Sequence, residues 1–273
     1  VNTCYGRMYP ERVDDIAWEN DRGAYRCYGP ALQASGEQAF GNDVWVKNTP
    51  DLVVESRYHN ELVNKLSYHV DRGYGLDCYK VGPTLGCGTP AIIEGDNIRF
   101  PYCWTAYEIL DNGPLRFTVR LDYGANGEHR IMSLDKGSNF NKMTVWYDAI
   151  TTPVDVASGV VIHTEDTESV VLGKDYVQYA DPTDNPKAQN FQIYVAAIFP
   201  DGVDATRKVM YQNPVRGNAG HALGIKKGLQ PNEKFTYYFG SSWSKYDCRN
   251  QKEWQMRIDN FKLALAQPLE IIL

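Results

Sequence analysis

From Pro114 onward the chain is written in short runs of β-branched and aromatic residues separated by turn signals, and this restricts the fold more than any other feature. Leu115–Leu121 (LRFTVRL) sets Phe117, Val119 and Leu121 on one face and Arg116, Thr118 and Arg120 on the other. That is the period-two alternation of a half-buried strand. Lys142–Tyr147, Val154–His163, Glu168–Leu172, Phe191–Phe199, Ala222–Lys226 and Lys234–Ser242 are further strand candidates. Asp111-Asn112-Gly113, Ala125-Asn126-Gly127 and Leu229-Gln230-Pro231-Asn232 break the chain between them, as turn residues do. Only Arg249–Gln267 departs from this pattern. There Trp254, Ile258, Phe261 and Leu265 recur at helical spacing, with Pro268 just beyond, which predicts one amphipathic helix. The expected fold is all-β: a large antiparallel β-sandwich closed by a C-terminal amphipathic helix. With no internal repeat and no low-complexity linker, residues 1–273 read as one domain, with a loop-rich segment at 11–110 carrying the site.

That earlier segment is dense in glycine, charge and aromatics. Asp43–Lys47 (DVWVK) alternates as a strand, Leu52–Glu55 clusters β-formers after the Thr49-Pro50 turn, and His59–Leu66 has room for two helical turns. Composition excludes several classes. A net charge of −6 is not the basic footprint of a nucleic-acid protein. No apolar run approaches the roughly 18 residues of a membrane span, and residues 1–20 hold no signal-peptide core. The opening Val1-Asn2-Thr3 reads as a trimmed start, with N-terminal residues missing. Six cysteines without a C-x-x-C pair argue against a zinc ribbon, and their even number fits disulfides in an oxidising compartment as well as buried thiols.

Two constellations can carry chemistry. Glu11–Pro30 gathers Arg12, Asp15, Glu19, Arg22 and Arg26 around Trp18, Tyr25 and Tyr28. One reading is a strand pair with a solvated charged edge. The other is a platform on which arginine holds a carboxylate, acids accept from vicinal hydroxyls, and a ring packs on a sugar. Ser67–Lys80 sets Tyr68, His69, Asp71, Asp77 and Tyr79 on a backbone punctuated by Gly73 and Gly75. Histidine moves protons near neutral pH and a carboxylate orients it, although a loop histidine also serves structure. His69 and Asp71 can ligate a divalent metal, but no third ligand with characteristic spacing accompanies them. No metal and no cofactor is expected. There is no G-x-S-x-G elbow, no P-loop and no G-x-G-x-x-G. His129, His163 and His221 lack an acid–base neighbourhood in the sequence and read as structural.

The strings ERVDDIAWENDRGAYRCYGPAL, NDVWVK, YHVDRGYGLDCYKVGPTLGCG, LDNGPLRFTVRLDY and HALGIKKGLQPNEKFTYYFGSSW carry a resemblance covering nearly the whole chain. The sequence resembles a bacterial family of polysaccharide-utilisation loci that was long labelled only as a domain of unknown function. The resemblance implies a galactose-mutarotase-like β-sandwich, a periplasmic or secreted bacterial protein, and action on acidic oligosaccharides like that of an ulvan-oligosaccharide dehydratase. It extends catalytic candidacy to Tyr68, His69, Asp71, Asp77 and Tyr79, and binding to Arg12, Arg22, Arg26 and Trp104.

The expected reaction is β-elimination, by dehydration or as a lyase, on a non-reducing-end uronic acid. An arginine (Arg12, Arg22 or Arg26) neutralises the carboxylate, His69 and Tyr79 share base and acid duty, and Asp71 orients His69. Two alternatives stand beside it. One is glycoside hydrolysis by carboxylates drawn from Asp71, Asp77, Asp15 and Glu19. The other is a non-catalytic carbohydrate-binding sandwich. The oligomeric state is left open.

Overall fold

Phe117, Val119 and Leu121 are fully buried and Arg116 is exposed, so the strand read from LRFTVRL forms with its alternation intact. The structure, a computed structural model, describes residues 3–270. Strands β1 (Tyr5–Tyr9), β2 (Asp15–Glu19), β3 (Ala24–Cys27), β4 (Asp43–Lys47) and β5 (Gly75–Asp77) lie side by side in chain order as a five-stranded antiparallel sheet. Helix α1 (Pro30–Ala34) lies between β3 and β4, and α2 (Val54–Leu62) between β4 and β5. The chain continues through β6 (Ala91–Glu94), β7 (Asn97–Arg99), β8 (Trp104–Asn112), β9 (Arg116–Tyr123), β10 (Glu128–Asp135), β11 (Phe140–Tyr147) and β12 (Val154–Ile162). It closes with β13 (Val171–Leu172), β14 (Tyr176–Asp181), β15 (Ile193–Ile198), β16 (Ala205–Val215), β17 (Asn218–Leu229), β18 (Phe235–Trp243) and helix α3 (Gln251–Ala266). An eight-stranded sheet has the order β13-β14-β15-β18-β11-β10-β9-β8, and a second five-stranded sheet the order β16-β17-β12-β6-β7.

The core lies between these layers. One face of the eight-stranded sheet contributes Phe117, Met132, Val145 and Phe239 to a cluster shared with Trp18 and Val44 of the first sheet and Val156 and Val160 of the second. Its other face is partly covered by α3, where Trp254 and Ile258 pack with Phe140, Tyr194 and Ile198. Asn250 caps that helix by accepting the Glu253 N–H at 3.0 Å, the N-cap geometry that satisfies a free donor. The fold is therefore an all-β sandwich with a C-terminal helix.

Some elements differ from the sequence reading. Leu52–Glu55 is not a strand, because α2 begins at Val54 and ends at Leu62. The Glu168–Leu172 strand shrinks to Val171–Leu172, while β10, β14 and β16 were not anticipated. All six cysteines are free thiols, so their even number carries no argument for an oxidising compartment. Among the described residues no helix is long and apolar enough to cross a membrane.

Candidate functional site

Alternation in the first sheet sorts its side chains strictly. Ile16, Trp18, Tyr25, Val44, Val46 and Leu76 face the core; Asp15, Glu19, Arg26, Asp43, Lys47 and Asp77 share the opposite face. That second face is not the solvated edge the composition suggested. Helix α2 and the loop after it cover it, with Tyr9, Ala17, Ala24, Trp45, Val54, Tyr58 and Tyr68 packed together, and these six charged residues are buried, while Arg7 of β1 at the edge of the same face is part-exposed.

Arg26 stands at the centre. Its Nη2 donates to Asp43 Oδ2 at 2.5 Å and Asp77 Oδ2 at 2.9 Å, and its Nη1 lies 3.6 Å from Asp15 Oδ2. Trp45 Nε1 donates to Asp43 at 3.0 Å and the Tyr58 hydroxyl to Asp15 at 3.0 Å. The guanidinium also sits over the rings of Tyr28 (4.8 Å) and Trp45 (4.9 Å). Three carboxyls crowd one buried cation. Burial and the charge of Asp77 push the Asp43 carboxyl up against the pull of Arg26. Burial pushes Asp77 and Asp15 up as well, with Arg26 opposing. Arg26 fills the space among these acids that a cation would otherwise occupy. Among the described residues, no group of three or more His, Cys, Asp or Glu side chains converges as a metal site.

The loop after α2 brings His69 to this cluster. Arg57 anchors it by donating to Val46 O at 2.8 Å and Tyr74 O at 2.7 Å. Gly75 then passes so close to β4 that a Cβ would lie 2.2 Å from Val46 O, at a φ of +105°; only glycine fits there. Asp77 N donates to Tyr68 O at 2.9 Å. The Tyr68 hydroxyl accepts from Arg12 Nε at 3.3 Å and Arg26 Nη1 at 3.4 Å. The His69 ring lies 4.8 Å from that of Tyr68, and its Nδ1 is 3.0 Å from Asp77 O and 3.8 Å from Asp77 Oδ2. The side chain is 54% exposed. It lines a pocket of about 300 Å³ with Asp71, Leu76, Asn190, Phe191 and Trp243. Lys245 sits on three of those walls: its Nζ donates to Asp71 Oδ2 at 2.6 Å and lies 5.3 Å and 5.5 Å from the Phe191 and Trp243 rings.

Arg12, Asp15, Arg26, Tyr68, His69 and Asp77 thus come together. The other candidates do not join this cluster, although Asp71 lines the pocket with His69. Asp71 does not orient His69: its Oδ1 accepts from Gly73 N at 2.8 Å and Gly75 N at 3.1 Å while Lys245 takes Oδ2. Tyr79 is 3% exposed in the core, its ring edge-on to His163 at 5.3 Å. Glu19 bonds Lys47 Nζ at 2.7 Å and the Val53 and Val54 N–H groups at the start of α2, a buried structural pair. Arg22 lies 3.9 Å from Asp247, and Trp104 is buried against Tyr107. Sequence reasoning missed Asp43, although its alternation with Val44 and Trp45 marked it, and missed Phe191, Trp243 and Lys245, which reach the pocket only through folding. It also missed two histidines with carboxylate partners. His163 Nδ1 is 2.5 Å from Asp181, and His129 is held between Asp122 (2.5 Å) and Asp148 (2.7 Å).

A family model described as a domain of unknown function, DUF4861, matches residues 1–271. The chain belongs to the DUF4861 family. Uncharacterized protein P7 of Formosa agariphila is similar to this DUF4861 chain, 28% identical over 287 residues that cover 98% of the chain and 69% of that protein. The crystal structure of YidC from Thermotoga maritima aligns with a TM-score of 0.46 at 11% identity. The alignment takes in 97% of the DUF4861 chain, which spans 58% of the YidC chain.

Proposed function

We propose that this DUF4861 protein is a carbohydrate-active lyase that removes water, or a glycosidic leaving group, from a non-reducing-end uronic acid of an acidic oligosaccharide at the His69 pocket. One observation carries the reading. The Asp77 carbonyl can only accept a hydrogen bond, so it fixes the proton of a neutral His69 on Nδ1 and leaves the Nε2 lone pair for a substrate. Nε2 has no partner among the described residues. The pocket supports the substrate class: its volume suits one sugar ring, Phe191 and Trp243 offer flat apolar area, and Lys245 supplies a cation for a carboxylate. Lys245 replaces Arg26 in that role, because Arg26 is buried among three acids. The sequence resemblance to the polysaccharide-utilisation family points the same way.

The reaction follows from these positions. Lys245 stabilises the charge that develops on the uronyl carboxylate as the C5 proton leaves. His69 Nε2 takes that proton, the C5 electron pair forms the C4–C5 double bond, and the C4–O bond breaks. The imidazolium then returns its proton to the departing oxygen, so one group serves as base and acid. Hydrolysis has less support. Asp43 and Asp77 are both bound to Arg26 and buried, leaving Asp71 as the carboxylate that lines the pocket, where a hydrolase needs two.

The test is incubation with saturated uronyl oligosaccharides, followed by the ultraviolet absorbance of the conjugated product and by mass. Loss of one water marks dehydration; gain of one marks hydrolysis. Absorbance is expected to rise, with a rate at least about 100-fold lower in His69→Ala and a higher KM in Lys245→Met. No absorbance gain on any uronyl oligosaccharide rejects the reading.

A further inference from the structure

We infer that a second pocket, where the β7–β8 connection faces the turn between β9 and β10, binds a neutral sugar residue. It has a volume of about 480 Å³ and is lined by Arg99, Phe100, Tyr102, Thr105, Tyr123 and Glu128 among others. Three aromatic rings form its walls, and two of them are held in place. Phe100 stacks on Phe40 at 5.9 Å, and the Tyr102 hydroxyl donates to Gln33 O at 3.2 Å although the residue is 65% exposed. An exposed ring tied down by its own hydroxyl offers flat apolar area without an ordering penalty, which is what packing against the C–H face of a pyranose requires.

Charge decides the class of ligand. Glu128 is 7% exposed, and Arg130 meets its charge through bonds of 2.8 and 2.7 Å, both to Oε2. No hydrogen bond to Oε1 is found among the described residues. A cationic ligand would gain little from an acid already neutralised. The lining also carries Arg99, bonded to Glu94 at 2.5 Å, so its one acid and its one cation balance and the pocket presents no net charge. A neutral polyol fits both facts, since it donates hydroxyls to Oε1 and Thr105 and stacks on the rings. The inference is independent of the reaction proposed at His69, which concerns an acidic residue in a different pocket.

The experiment is calorimetric titration with three neutral disaccharides, cellobiose, lactose and maltose, using wild type, Tyr102→Ala, Tyr102→Phe and His69→Ala. At least one disaccharide is expected to bind saturably. Affinity should fall about tenfold in Tyr102→Ala and by less in Tyr102→Phe, which keeps the ring but loses the bond that holds it. His69→Ala should bind like wild type. Thermal unfolding verifies that each variant is folded, which the exposure of Tyr102 favours. The inference is overturned if none of the three sugars binds, if Tyr102→Ala binds as well as wild type, or if the loss appears in His69→Ala instead.

Discussion

At the scale of single residues, the buried acids around Arg26 tie stability to pH. Burial raises the Asp43 and Asp77 carboxyls above their unfolded range, so the folded chain holds protons that the unfolded chain has released. Stability from this source is complete below the unfolded value, about pH 4, and is lost as pH rises through the folded values. Asn at position 43 keeps an oxygen for Trp45 and Arg26 while removing one negative charge. Unfolding temperatures measured from about pH 4 to about pH 8 should therefore fall less steeply for Asp43→Asn than for wild type. Parallel curves would refute this. Residue chemistry also sets what could be read in advance. Arg12, Asp15, Arg26, Tyr68, His69 and Asp77 stood out because unlike reactive types crowd short strings. Lys245 did not, because it meets Asp71 across 174 positions. The partners of His129 lie on the neighbouring strand and beyond the next one, 7 and 19 positions away, where no local pattern points.

At the scale of elements, alternation was legible in β9, whose inward Phe117, Val119 and Leu121 are apolar. It failed for β10, whose inward residues begin with Glu128 and Arg130 before Met132 and Leu134. A buried ion pair writes a polar pattern into a core strand. It failed for β16 for the opposite reason: that edge strand is largely exposed and has little apolar periodicity to show. The loop carrying His69 was recognised by its glycines, and Gly75 makes the reason concrete. Gly75→Ala places a methyl against Val46 O in a left-handed conformation, at a cost of about 1–3 kcal/mol. The expected outcome is a lower unfolding temperature together with reduced turnover, because the same strand sets Asp77 O under His69. Unchanged turnover at full folding would separate the loop from the site. Elsewhere, burial pulls the His129 imidazole down but its bonds to Asp122 and Asp148 outweigh it, leaving it raised. That contribution is present below about pH 6.5 and is lost as pH rises through the folded value.

At the scale of the whole molecule, one cluster of buried residues runs through all three sheets, so the layers depend on one another. The thiols sit within this arrangement. Cys4, Cys78, Cys87 and Cys248 are 0–1% exposed and Cys27 is 5% exposed. Burial pushes the Cys4 thiol up to about 11 and that of Cys103 up to about 12, which withholds the reactive thiolate. Because they belong to different parts of the fold, the six side chains amount to a set of clocks. Alkylated under increasing denaturant and read by mass, each would report when its own surroundings admit reagent. Half-buried Cys103, at the entrance to β8, should be marked first, and Cys87, whose backbone pairs with Val160 of β12 and whose Sγ lies 3.7 Å from Gly240 O, last. Simultaneous labelling of all six would instead mean that the layers come apart in a single step.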